Sequence, residues 1–464
     1  MKRWYWAGLA AAVVVIASCS DEPLRCGPGT ARKGNECLVQ GQAAHNGGAS
    51  NSTGNSAGSG DEAGSAGDHS SSAGGHSGGA APGTDSSGGA GADGEVSAGS
   101  AGGGGAGDTP AQSDLITSKL GCDSHNVTGA TVITDPITQD TVWSGVIHLP
   151  KGLSMRNEPT LTITPGTRII VGHDATVEFG WPGGGHATIV AAGTLEQPIL
   201  FCGETDTAGY WAGMVFRSGV KSASVFKNVL IADAGGTDAA LTLEMPLLVQ
   251  GVQVRNSGTN GVNAVGFDPQ SSTLIVSGAT KTAVKATKAK GAEVPVGSQL
   301  TGNGLDLIDL AFTSVDVSVT LRDLAVPYSL SGLQIAGGAS LTVQPGVTLL
   351  SASGSSIDVL TGGTLQAVGL SDSKILFGAR DSSNWGGISA AMKATVQLDY
   401  AVIDHAGGGG VVDSAITANV PIQLSNSTIS NSASWGLKKA VGDGTDYLTG
   451  NTFAGNVSGN ITEL

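Results

Sequence analysis

The chain has 464 residues, 38 acidic and 23 basic, giving a formal net charge of −15 with only 13% of positions charged. Nucleic acid and anionic lipid surfaces both call for clustered Lys and Arg, so this balance excludes them as partners. Aromatic residues make up 4% while glycine occupies 74 positions, which leaves few large side chains for a globular core.

Lys2 and Arg3 precede an apolar run from Trp4 to about Ala17. That run is shorter than the roughly 20 residues needed to span a bilayer. It suits the h-region of a secretory signal, about 7–15 residues long. It ends in Ile16-Ala17-Ser18-Cys19, which resembles the lipobox of bacterial lipoprotein signals. The resemblance implies cleavage before Cys19 and lipid on that cysteine, with residues 1–18 as the signal peptide. Two or more acyl chains anchor stably where one is marginal. Ser20, rather than Asp, follows the cysteine. By that family's sorting rule the expected location is the outer membrane, exposed at the cell surface, with the periplasmic face as the alternative.

Five cysteines are present. Lipidation of Cys19 leaves Cys26, Cys37, Cys122 and Cys202, an even set allowing three connectivities. Cys26 and Cys37 flank a Gly/Pro stretch and are expected to close a small loop in the segment 19–40, which would leave Cys122 to pair with Cys202. An exported chain permits such bonds. No Cys-x-x-Cys spacing points to a metal site.

Residues 41–112 are Gly, Ser and Ala with scattered Asp, Glu, Asn and His, and contain no aromatic, Leu, Ile, Lys or Arg. Such a segment cannot bury enough apolar surface to offset chain entropy. It is expected to be a disordered tether with an r.m.s. span of roughly 45–50 Å.

Residues 113–464 form the folded part. Runs of three to five β-prone residues recur, among them Leu161-Thr162-Ile163, Ile199-Leu200-Phe201 and Val229-Leu230-Ile231, each bounded by Gly, Asn, Asp, Ser or Pro. No segment carries a helical period with caps. A larger repeat lies over them. Leu161-Thr162-Ile163-Thr164-Pro165-Gly166 returns as Leu341-Thr342-Val343-Gln344-Pro345-Gly346. Gly193-Thr194-Leu195 returns as Gly363-Thr364-Leu365, and Ile199-Leu200-Phe201 as Ile375-Leu376-Phe377. Trp211-Ala212-Gly213-Met214 returns as Trp385-Gly386-Gly387-Ile388. The two units run from about 142 to 304 and from about 325 to 464.

The succession of Leu-Thr-Ile-x-Pro-Gly, Gly-Thr-Leu, Ile-x-Phe and Trp-x-Gly resembles the bacterial right-handed parallel β-helix proteins, the pectate-lyase-like solenoids. The resemblance implies an all-β fold with three short parallel sheets along a solenoid of about 13 coils. Asn228, Asn256, Asn431, Asn451 and Asn456 fall at turns and are expected to stack along the axis.

Fold does not assign chemistry. The Asn-x-Asp, Asp-Asp, Gly-His-Gly and Arg-x-Lys motifs of polygalacturonase-like hydrolases do not occur in the solenoid, nor does a lyase-like basic residue beside clustered acids. Gly172-His173-Asp174 and Asp404-His405 are the nearest acid/base groupings and read as turn polar pairs. Gly442-Asp443-Gly444-Thr445-Asp446-Tyr447-Leu448 resembles a single calcium-binding nonapeptide without a second copy. No catalytic residue, metal or cofactor is therefore assigned. Trp211 and Trp385 recur and are expected to pack structurally. Trp143, Trp181 and Trp435 are the candidates for stacking on a sugar. The expected role is non-catalytic: binding, adhesion or envelope structure, with extracellular polysaccharide or envelope components as partners. The alternative is a polysaccharide-active lyase or hydrolase.

Overall fold

The computed structural model describes residues 30–33, 36–39, 122, 125–181, 186–409 and 413–464. In the amino-terminal unit, Thr30–Lys33 and Glu36–Val39 pair antiparallel, with Arg32 opposite Cys37. Cys19, Cys26 and the tether at 41–112 lie outside the described residues.

From Thr131 onward the chain is a parallel β-solenoid of about 13 turns. Its strands are short because each must turn a corner within a few residues. Alternation along each strand sends one set of side chains inward. Leu161 stacks on Ile189, and Phe201 lies between Ile169 and Ile231, all at most 1% exposed. Burying such a side chain contributes about 1.5–3 kcal/mol. The backbone of each strand is satisfied by the coils above and below it. Where large residues do occur they cluster: Phe179 and Phe216 have ring centroids 4.9 Å apart, and Phe216 and Phe226 5.1 Å.

Corners are made by residues in the left-handed region, which Asn, Asp and Gly tolerate best. One corner holds Asp233, Asn256 and Gly278 in successive coils, with φ of 62°, 58° and 69°. The equivalent corner of the second unit holds His405, Asn431 and Gly455. The expected asparagine stack is corrected here. Asn451 and Asn456 do not bond to other asparagines but bridge the backbone of the preceding coil. Asn451 donates to the Leu424 carbonyl (3.0 Å) and accepts from the Ser427 N–H (2.9 Å). Asn456 does the same with Ile429 (3.1 Å) and Ser432 (3.0 Å). A side-chain amide carries one acceptor and one donor group, so it fits the gap between residues i and i+3 of a corner.

Four solenoid sheets result. A bent sheet of eleven strands forms two faces of the first half, and Leu248–Arg255 runs unbroken across its corner. A long sheet of twelve strands traverses both halves, from Thr176–Phe179 to Thr452–Ala454. Seven- and five-stranded sheets complete the second half.

The two repeats are not aligned face to face. Ile199–Gly203 belongs to the bent sheet, yet its counterpart Ile375–Ala379 belongs to the long sheet. Gly213–Phe216 belongs to the long sheet, and its counterpart Gly387–Ala390 to the seven-stranded one. The second unit is thus turned by one face about the axis. The change occurs where the 3-10 turn Ala289–Ala292 interrupts the coil and only isolated bridges, Ser272 to Val296 and Ile275 to Gln299, extend the bent sheet. The long sheet alone continues, through Thr282–Ala286 and Leu305–Leu310.

Candidate functional site

The five-stranded sheet presents the most regular outward surface. Its strands Ser340–Val343, Thr364–Val368 and Thr395–Asp399 point Leu341, Leu365 and Val396 into the core, at most 3% exposed. The alternate positions must then face solvent. In register they form a row of Thr320, Thr342, Gln366, Gln397 and Gln423. Beside it runs a second row of Ser340, Thr364 and Thr395. Neither row contains a charge. Adjacent strands lie about 4.8 Å apart, so the longer row spans roughly 19 Å. Hydroxyls and carboxamides at that spacing offer alternating donors and acceptors on a flat, rigid support.

The same outward row of the first unit is different in kind. There Val142, Thr162, Val190, Val225 and Leu248 follow one another across the bent sheet. The core-facing positions are alike in the two units, and the surface has diverged.

A second polar cluster lies at the turn after Ile199–Gly203. Glu204 accepts from the Tyr210 hydroxyl at 2.8 Å and contacts His148 Nε2 at 2.7 Å. Burial pushes its carboxyl up, but these two bonds outweigh that and hold it below its ordinary value. His173 stands edge-on to Tyr210, with centroids 5.1 Å apart, and pairs with Asp174 at 3.0 Å. Both Glu204 oxygens are engaged, so the cluster acts as a brace between coils.

Asp404 and His405 are joined at 2.7 Å. The other Asp404 oxygen accepts from Ser430 (2.7 Å) and Asn431 (2.9 Å). In the first unit's corner the equivalent Asn256 bonds instead to Asp233, the counterpart of His405, at 2.7 Å. Asp443 accepts from the Tyr447 hydroxyl (2.8 Å) and the Thr445 N–H (3.0 Å). Asp446 accepts from Thr449 and the Leu448 N–H. In the nonapeptide-like stretch the carboxylates thus cap their own turn. Among the described residues no group of three or more His, Cys, Asp or Glu could hold a metal ion.

The aromatic candidates separate. Trp143 is corrected: at 2% exposed it lies in the core and offers no ring face to a ligand, because Thr141–Trp143 turns that position inward. Trp181 is 48% exposed, with the Arg156 guanidinium 5.9 Å from its ring centroid. Trp435 is half-buried and lies over Gly459, where a Cβ would come within 2.7 Å of the ring. Trp211 and Trp385 are both fully buried. Cys122 and Cys202 are joined as a disulfide, while Cys37 lies in Glu36–Val39.

The outward Thr and Gln row escaped sequence reasoning, although its signal was present: in Ser340–Val343, Thr364–Val368 and Thr395–Asp399 the first and third residues are polar and uncharged. No protein-family model matches the chain, and no curated protein or solved structure matches it either.

Proposed function

We propose that this chain is an exported, lipid-anchored protein that carries a rigid β-solenoid on a long tether and uses the solenoid's outer surface for non-catalytic binding or adhesion. The partner is a neutral extracellular polysaccharide or a similar envelope component. The observation that carries this reading is the uncharged row of Thr320, Thr342, Gln366, Gln397 and Gln423. A polymer of neutral sugars presents hydroxyls at intervals along an extended chain, and such a ladder meets them with donors and acceptors while excluding no neutral group by charge. The lipid on Cys19 holds the protein at the outer membrane, and the segment 41–112 gives it reach.

Two experiments test the two halves of the reading. In cells, Cys19→Ala releases the protein from the membrane fraction, and undiminished retention contradicts the anchor. In solution, the full chain co-sediments with insoluble neutral polysaccharide and is not displaced by salt. Binding only to acidic polymers, abolished by salt, contradicts the neutral-ladder reading.

A further inference from the structure

We propose that the Cys122–Cys202 disulfide is a load clamp, which passes tension from the tether directly into the fourth coil and shields the first three. The inference rests on the reading of residues 41–112 as a tether.

The solenoid begins weakly. Its first strand, Thr131–Val132, has two residues, both exposed, and among the described residues pairs on one side only, with Val146–Leu149. In a solenoid each coil contacts only its neighbours, so an end coil can leave without disturbing the rest. A pull on the chain just before this strand, with nothing else to hold it, would peel it from the edge and then move on to the next coil.

The chain does not transmit a pull that way. Cys122 is bonded to Cys202, 80 residues further on. Cys202 is fully buried and sits in Ile199–Gly203, which is paired on both sides, with Arg168–Val171 and with Val229–Ala232. It is therefore an interior strand. The surface that receives Cys122 is built for it. Phe201, Ile169 and Ile231 face the core, so Ile170, Leu200, Leu230 and Ala232 must face outward. Outward apolar residues elsewhere in the first unit, such as Val142, Val190 and Val225, stay at least partly exposed, yet these four are at most 8% exposed and form a separate apolar cluster with Cys122 and Cys202. The cluster spans three consecutive coils. Close by, His125 bonds the Gly203 carbonyl through Nδ1 at 2.8 Å and meets Asp206 at 3.1 Å, tying the continuing chain to the same loop.

The covalent path from the tether thus enters at residue 202. Residues 123–201 lie inside a closed loop that carries no tension while the bond is intact. A binding protein held at one end by lipid and at the other by its ligand is loaded along this path.

The test is single-molecule stretching of the full chain held by its two ends, with and without reductant. Neither ligand nor membrane is involved, so a failure here leaves the binding proposal standing, and the reverse. With the bond intact, complete unfolding lacks the length of the closed loop. Reduction adds roughly 260–290 Å of contour for 80 residues. Reduction also lowers the force of the first rupture, which then starts at the Thr131–Val132 edge. The double variant Cys122→Ser/Cys202→Ser reproduces the reduced behaviour, and reduction of the folded wild type makes the same comparison should the variant misfold. An unchanged first-rupture force despite the added contour overturns the clamp, as does an absence of added contour.

Discussion

Trp385 donates its indole N–H to the carbonyl of Asp404 at 2.9 Å, and 174 residues earlier Trp211 does the same to Ala232 at 2.8 Å. Each ring fills the inside of a corner, and each bond satisfies the last carbonyl before a left-handed residue. Replacing either Trp with Phe removes the donor and leaves a buried carbonyl unpaired. The expected cost is about 1–3 kcal/mol, read as a lower urea midpoint for the full chain. The two sites lie far apart, so the double variant should lose close to the sum of the single losses.

Asp404 supports its corner as a carboxylate. Burial pushes it up, but bonds from Ser430, Asn431 and His405 outweigh burial and hold it below its ordinary value of 3.8. A depressed carboxylate contributes stability that is fully present above its ordinary value and is lost as pH falls through the lowered one. Asp404→Ala should cost about 1–3 kcal/mol at neutral pH. Its unfolding midpoint should also fall less steeply than that of the wild type below pH 3.8. An equal acid slope in the two proteins contradicts this role.

Gly291 sits in the 3-10 turn where the second repeat is turned by one face. A Cβ there would lie 2.1 Å from the carbonyl oxygen of Ala264, a backbone atom that cannot rotate away. Gly291→Ala should cost about 1–3 kcal/mol through overpacking. Limited proteolysis should then cut near residues 287–304 before the remainder of the solenoid.

Much of the fold was legible in the sequence, because a solenoid repeats its local rules. Leu161 and Leu341, or Phe201 and Phe377, could be matched before any coordinates, and their inward stacking follows from strand alternation. The rotation between units was not legible. Residues 305–324 fall outside both units read from the sequence, yet Leu305–Leu310, Ser314–Val315 and Val319–Leu321 are strands there, and across them the faces are reassigned. Trp143 was misjudged for a related reason. Its counterpart Leu321, which sits on Val343 as Trp143 sits on Ile163, lies outside the repeat units read from the sequence, so the repeat gave no hint that the position points inward. The outward rows depended on which strands become neighbours, and that is fixed only by register.

The measurement that tests the central claim most directly is co-sedimentation of the full chain with neutral polysaccharides, with new reducing ends assayed in the same tubes. Wild type should bind and release none, and Gln366→Lys/Gln397→Lys should lose most of the binding while keeping the wild-type urea midpoint. Undiminished binding by that variant, or release of reducing ends by the wild type, would contradict the account.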